Sequence, residues 1–171
     1  MIMNLRTLFS TALAGVALTS CGYHLGGMKP AYMDDMHTFC VEMFENNTVQ
    51  PSVGVYMTTA VTNALQSDGT YRIAPRKEAD FIVRGTVSHI TRDSLTASTE
   101  DSYISTQIGV TVHVQYELVN RKTGAVISKG IESEQASYFN QDGSTITAME
   151  SALYYATTRV ADDIVLNITT R

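Results

Sequence analysis

The residues whose types and spacing most clearly imply chemistry are Leu18-Thr19-Ser20-Cys21. They resemble a bacterial lipobox. There the cysteine sulfur is the nucleophile that takes a diacylglyceryl group, and small residues before it let a peptidase reach the backbone. What precedes them fits. Met1 to Ser20 hold a single charged side chain, Arg6, and Leu8 to Leu18 read LFSTALAGVAL. That run is short of the ~20 apolar residues a spanning helix needs. A positive start, a short apolar core and small residues before a cut site describe a secretory signal peptide. The expected divisions are a signal segment over 1–20, a lipidated tether over 21–37 and one domain over 38–171. An ordinary signal peptide with an incidental cysteine is the competing reading. Gly22 stands where inner-membrane retention signals usually place Asp, which points the lipoprotein to the outer membrane. Each buried CH₂ of an anchor contributes about 0.8 kcal/mol, and several chains together hold a protein stably.

The other chemistry-capable residues are scattered. Cys40 lies in the apolar Phe39-Cys40-Val41 and has no free partner if Cys21 is acylated; it reads as a small hydrophobe. His24, His37, His89 and His113 form no zinc-type spacing with the cysteines. Asp34-Asp35 and Asp162-Asp163 read as solvated charge, and His113 as a surface or interface residue. No glycine-rich phosphate loop or nucleophile elbow is present, so no enzyme, metal or cofactor is expected. Removing Arg6 with the signal takes the net charge from −5 to about −6. That argues against a nucleic-acid partner, which would call for a basic excess.

These residues must be carried by a fold of roughly 150 residues, enough for one independent core. Thr38–Phe44 reads as a strand, and Ser52 to about Gln66 as a helix with Val53, Tyr56, Met57, Ala60, Val61, Ala64 and Leu65 on one face. Asp68-Gly69 is its exit, and Tyr71–Ala74 a short strand. Over Ala79–Thr91, Phe81, Val83, Gly85 and Val87 alternate with Ile82, Arg84, Thr86, Ser88 and Ile90. A polar link, Arg92 to Ser102, follows. Thr106–Val119 has the clearest alternation: Ile108, Val110, Val112, Val114, Tyr116 and Leu118 against Gln107, Thr111, His113, Gln115 and Glu117. After a tight turn at Asn120–Gly124, Ala125–Phe139 returns as a strand with a bulge expected at Gly130. A loop at Gln141–Ser144 precedes a helix over about Thr147–Asn167, opened by a Thr147…Glu150 capping box.

Helices with one apolar face and strands with one apolar face predict an α+β two-layer sandwich. Both helices cover one face of a four- to five-stranded mixed, mostly antiparallel sheet, leaving the other face polar and available.

Cys21-Gly22-Tyr23-His24-Leu25, the strand ending Val41-Glu42-Met43-Phe44, and Asn46-Asn47-Thr48 running past Pro51 into a helix resemble the lipopolysaccharide-assembly lipoprotein family LptE. The C-terminal meander and last helix extend the likeness over nearly the whole mature chain. The resemblance implies an outer-membrane lipoprotein that plugs and helps assemble a large β-barrel translocon, LptD, while lipopolysaccharide passes to the outer leaflet. In relatives, basic residues on the sheet side are implicated in contacting lipopolysaccharide phosphates. Arg84, Arg92 and Lys129 are the candidates here, on the expectation of charge-assisted pairing. The alternative function is a generic periplasm-facing lipoprotein adaptor or small-ligand binding module using the same sheet face.

Overall fold

The structure, a computed structural model, describes residues 37–95, 106–140 and 145–170. The expected signal segment, Cys21 and its tether, most of the polar link after Arg92, and the Gln141–Ser144 loop lie outside the described residues.

In chain order the elements are β1 (Thr38–Val41), β2 (Glu45–Asn46), α1 (Val53–Asp68), β3 (Arg72–Ile73), β4 (Phe81–Ser94), β5 (Thr106–Asn120), β6 (Val126–Asn140) and α2 (Thr145–Thr170). The sheet runs β3-β1-β4-β5-β6, with the two-residue β2 also paired to β4. β1 is parallel to both β3 and β4, whereas β4–β5 and β5–β6 are antiparallel. The two helices cover one face, so the α+β sandwich expected from the alternation is the architecture observed, with six strands once β2 is counted.

The first expected strand is divided. β1 stops at Val41, Met43 is exposed, and pairing resumes at Glu45. Between them Phe44 turns inward over Gly85. α1 places Val53, Met57, Ala60, Val61 and Leu65 in the core and ends on Gly69 at φ 71°, the left-handed exit that glycine favours. Ser52 occupies the N-cap position, but its side chain makes no capping bond. At the β5–β6 turn, Asn120 Oδ1 accepts the N–H groups of Lys122 (2.9 Å) and Thr123 (3.1 Å).

The core contains Phe39, Phe44, Phe81, Met57, Leu65, Leu118, Ile164 and Ile168, all buried. Each such side chain contributes about 1.5–3 kcal/mol relative to exposure. β5 supplies Val110, Val112, Val114, Tyr116 and Leu118, as its alternation predicts.

Three expectations need correction. Gly130 is not the bulge: β6 breaks register instead at Ile127, between the Leu118–Ser128 and Val119–Val126 pairs, and β4 carries a second irregularity between Val87 and His89. Gly130 pairs in register with Tyr116 and leaves room for that ring: a Cβ there would stand 2.7 Å from Tyr116 Oη. The extra residue in β4 reverses its alternation. Ile90 and Arg92 therefore stand opposite Val112 and Val110, on the helix side, rather than on the polar face. The last helix begins at Thr145, so Thr147 lies inside it and its carbonyl accepts the Ser151 hydroxyl at 2.9 Å. Among the described residues no helix is long and apolar enough to cross a membrane.

Candidate functional site: the uncovered sheet face

The face turned away from the helices is built from alternate residues of three long strands. Register fixes its rows. Arg84, Glu117 and Lys129 form one, Thr86, Gln115 and Ile131 the next, then His89, His113 and Ser133, then Thr91, Thr111 and Gln135. A sheet with one buried and one wet face produces such a series by alternation, which holds along this stretch of β5 and β6 and is reset once in β4 at its bulge.

The lower end of the face is closed. The chain between β3 and β4 passes over the outer side of β1, where Thr38 Oγ1 donates to Asp80 Oδ2 (2.8 Å) and to Glu78 O (3.4 Å). Arg121 donates through Nε to Ala79 O and through its backbone N–H to Asp80 O. Ile82 and Val119, paired across the sheet, are buried there although they point away from the helices. Cys40 is a free, partly buried thiol beside Ile82.

Above this cover the face opens into a hollow of about 770 Å³ lined by Glu42, Glu45, Arg84, Gln115, Glu117 and Lys129 among others. Arg84 donates to Glu117 Oε2 through Nη2 (2.9 Å) and Nε (3.2 Å). Thr86 Oγ1 donates to Glu45 Oε2 at 3.4 Å, and Glu42 is paired with Arg76. Arg84 is thus already matched by a carboxylate, and three acids face two bases around the hollow. That balance does not make a preformed phosphate cradle. It makes a charged, exchangeable surface in which each exposed pair contributes ~0–1 kcal/mol.

The next row holds a feature the sequence does not announce. The rings of His89 and His113 stack at 4.1 Å with planes 10° apart. Ser88 Oγ donates to His113 O (3.1 Å) and lies 3.0 Å from His89 Nδ1. Burial, and then the nearness of His89, hold the His113 imidazole below the ordinary histidine value. A second cation at this separation would be repelled, so the stack favours a neutral His113 ring. Simple alternation would put His89 on the helix side with Val87. Only the bulge brings it beside His113.

Of the three phosphate candidates, Arg84 and Lys129 line the hollow and Arg92 does not. Arg92 borders a different depression with Asn47, Val49 and His89. Among the described residues no three His, Cys, Asp or Glu side chains gather as a metal site.

The sequence profile of LptE, described as lipopolysaccharide-assembly, matches residues 36–168. The chain belongs to the LptE family. The family's description assigns it to lipopolysaccharide assembly. No curated protein matches it. Among solved structures it is similar to the hypothetical protein CT253 from Chlamydia trachomatis, with TM-score 0.56, 7% identity, and 78% of this chain and 95% of that one covered. It is also similar to a minor lipoprotein from Acinetobacter baumannii, with TM-score 0.52, 12% identity, and coverage of 78% and 92%. Protein XCC0632 from Xanthomonas campestris gives TM-score 0.52 and 14% identity over 76% and 81%. At such identities these likenesses show the shared fold alone.

Proposed function

We propose that this LptE-family chain is anchored in the outer membrane through lipid on Cys21 and seats its uncovered sheet face against the wall of an LptD-type β-barrel. There it plugs the barrel, helps it assemble and supports lipopolysaccharide insertion into the outer leaflet. The observation that carries the reading is the sheet face itself. It is broad, polar over three strands and left open by both helices. A bilayer core would reject such a face, because unpaired polar groups are costly there, whereas a wet barrel lumen or loop would accept it.

Arg84, in exchange for Glu117, and Lys129, the cross-strand neighbour of Glu117, are the side chains on this face offered to lipopolysaccharide phosphate. The signal segment 1–20, the tether 21–37 and the folded remainder complete the proposed organisation.

Affinity purification of the mature lipoprotein from outer membranes tests the reading. A large β-barrel should co-purify, and photocrosslinkers at Thr111, His113 and Gln115 should join it. Neutralising Arg84 and Lys129 to Gln should weaken lipopolysaccharide retention while costing the fold no more than about 1 kcal/mol, the worth of the exposed pair that is lost. Recovery of some other periplasmic partner with no barrel would instead support the adaptor function.

A further inference from the structure

The outer edge of β6 is the feature that neither packing nor the proposed function uses. β6 is the last strand of the sheet, and among the described residues its sole strand neighbour is β5. Long open edges usually recruit another strand unless charges or bulges blunt them. The two acids that could blunt this one are drawn beneath the sheet. Glu134 Oε2 accepts from Arg159 Nε at 3.1 Å and Glu132 Oε1 from Asn167 Nδ2 at 2.8 Å, both on α2. On the opposite side of the same strand, Ile131 is 69% exposed and Phe139 54% exposed.

We propose that β6 pairs antiparallel with β6 of a second copy, about a two-fold axis at Gln135. The assignment of the occupant comes from the strand's own symmetry. Ile131 and Phe139 lie equally far on either side of Gln135, so a two-fold there places Ile131 of each copy opposite Phe139 of the other. An isologous contact requires this kind of self-complementarity, and aromatic–β-branched cross-strand pairs are among the favourable ones. Charge selects the same register. An axis at Ser133 would set Glu132 against Glu134 twice, and one at Glu134 would set that residue against itself. The axis at Gln135 sets Glu132 opposite Tyr138 and Glu134 opposite Ala136. Moving it to Ala136 also avoids like charges but leaves Phe139 opposite Ser133. A single strand pair is a small interface, so the association is weak and concentration-dependent. It concerns the chain outside a barrel and goes beyond the function proposed above.

The test uses the full mature lipoprotein in detergent with Cys40→Ser as background. Gln135→Cys should form a disulfide-linked dimer under mild oxidation, because directly opposed Cβ atoms lie within disulfide reach. Ser133→Cys should link to Ser137→Cys in a mixture, and neither should link efficiently to itself. Sedimentation should show a monomer–dimer equilibrium weakened about tenfold or more by Ile131→Lys or Phe139→Lys. A strictly monomeric parent, or crosslinks indifferent to position, would overturn the proposal. So would capture of Gln135→Cys by a different outer-membrane protein with no self-linked species, which would give the edge to that partner. Barrel co-purification is read separately, so the two proposals stand or fall apart.

Discussion

Two residues show how closely local chemistry is fitted to this fold. Gly85 sits where the Phe44 ring crosses the sheet. A Cβ there would run into that ring and would lie 2.5 Å from the Gln115 carbonyl oxygen, which belongs to the backbone and cannot swing away. Gly85→Ala should therefore cost about 1–3 kcal/mol, read as a lower denaturant midpoint. Asp80 is the second. Burial pushes its carboxyl up, but hydrogen bonds from the Thr38 hydroxyl and the His37 and Thr38 N–H groups, with the charge of Lys122, outweigh burial and hold it below the ordinary carboxylate value. A carboxylate depressed on folding stabilises above its unfolded pKa of about 3.9 and loses that contribution as pH falls through the lower folded value. Asp80→Ala should cost about 1–3 kcal/mol at pH 7 through its unmade hydrogen bonds. The gap to the parent should narrow at pH 3, which unfolding curves at the two pH values would reveal. Neither role can be read from the sequence, because both depend on residues far apart in the chain. Asp80 is 42 positions from Thr38.

The elements were more legible. β5 declares itself because one of its faces is dry and the other wet, and that contrast writes a period of two into Thr106–Val119. α1 and α2 declare their buried faces through the period of helices for the same reason. In α2, Ile164 is fully buried while Leu166, two residues on, is 58% exposed. Ile164→Ala should cost about 2–5 kcal/mol through loss of packing and the cavity left behind. Leu166→Ala should stay within about 0.5 kcal/mol; equal losses in thermal unfolding would mean that α2 is rotated from the position described. What the pattern hides is a change of phase. Nothing in Val87-Ser88-His89 marks a bulge, yet that one extra residue sends Arg92 to the helix side and brings His89 onto His113. Half of the candidate face, Arg84 with Thr86, Gln115 and Glu117, follows from alternation alone. Beyond the bulge, Thr111 and His113 of β5 still follow from alternation, but their β4 neighbours His89 and Thr91 do not. Likewise β1 and β2 are too short to show a period, and Phe44 enters the core from the gap between them.

For the whole molecule, the sequence conveys the layers and the available face but not the strand order. The parallel placement of β1 between β3 and β4 arises from contacts distant in the chain. The proposed anchor adds a separate expectation. Cys21→Ala should leave the domain folded, with unchanged denaturant stability, and move it to the soluble fraction when no barrel partner is co-expressed. Persistent membrane fractionation under that condition would argue against lipidation.

β1 enters the fold at His37 and Thr38, whose N–H groups Asp80 accepts at 3.1 Å and 3.2 Å, and then runs between two parallel neighbours. A tug on the segment before His37 thus reaches a central strand along its own length. Force in that direction loads the ladders on both sides together, in shear, whereas a strand at the rim would peel away one bond at a time. With the proposed anchor at Cys21, a pull from the membrane would thus meet the domain along its mechanically stronger direction.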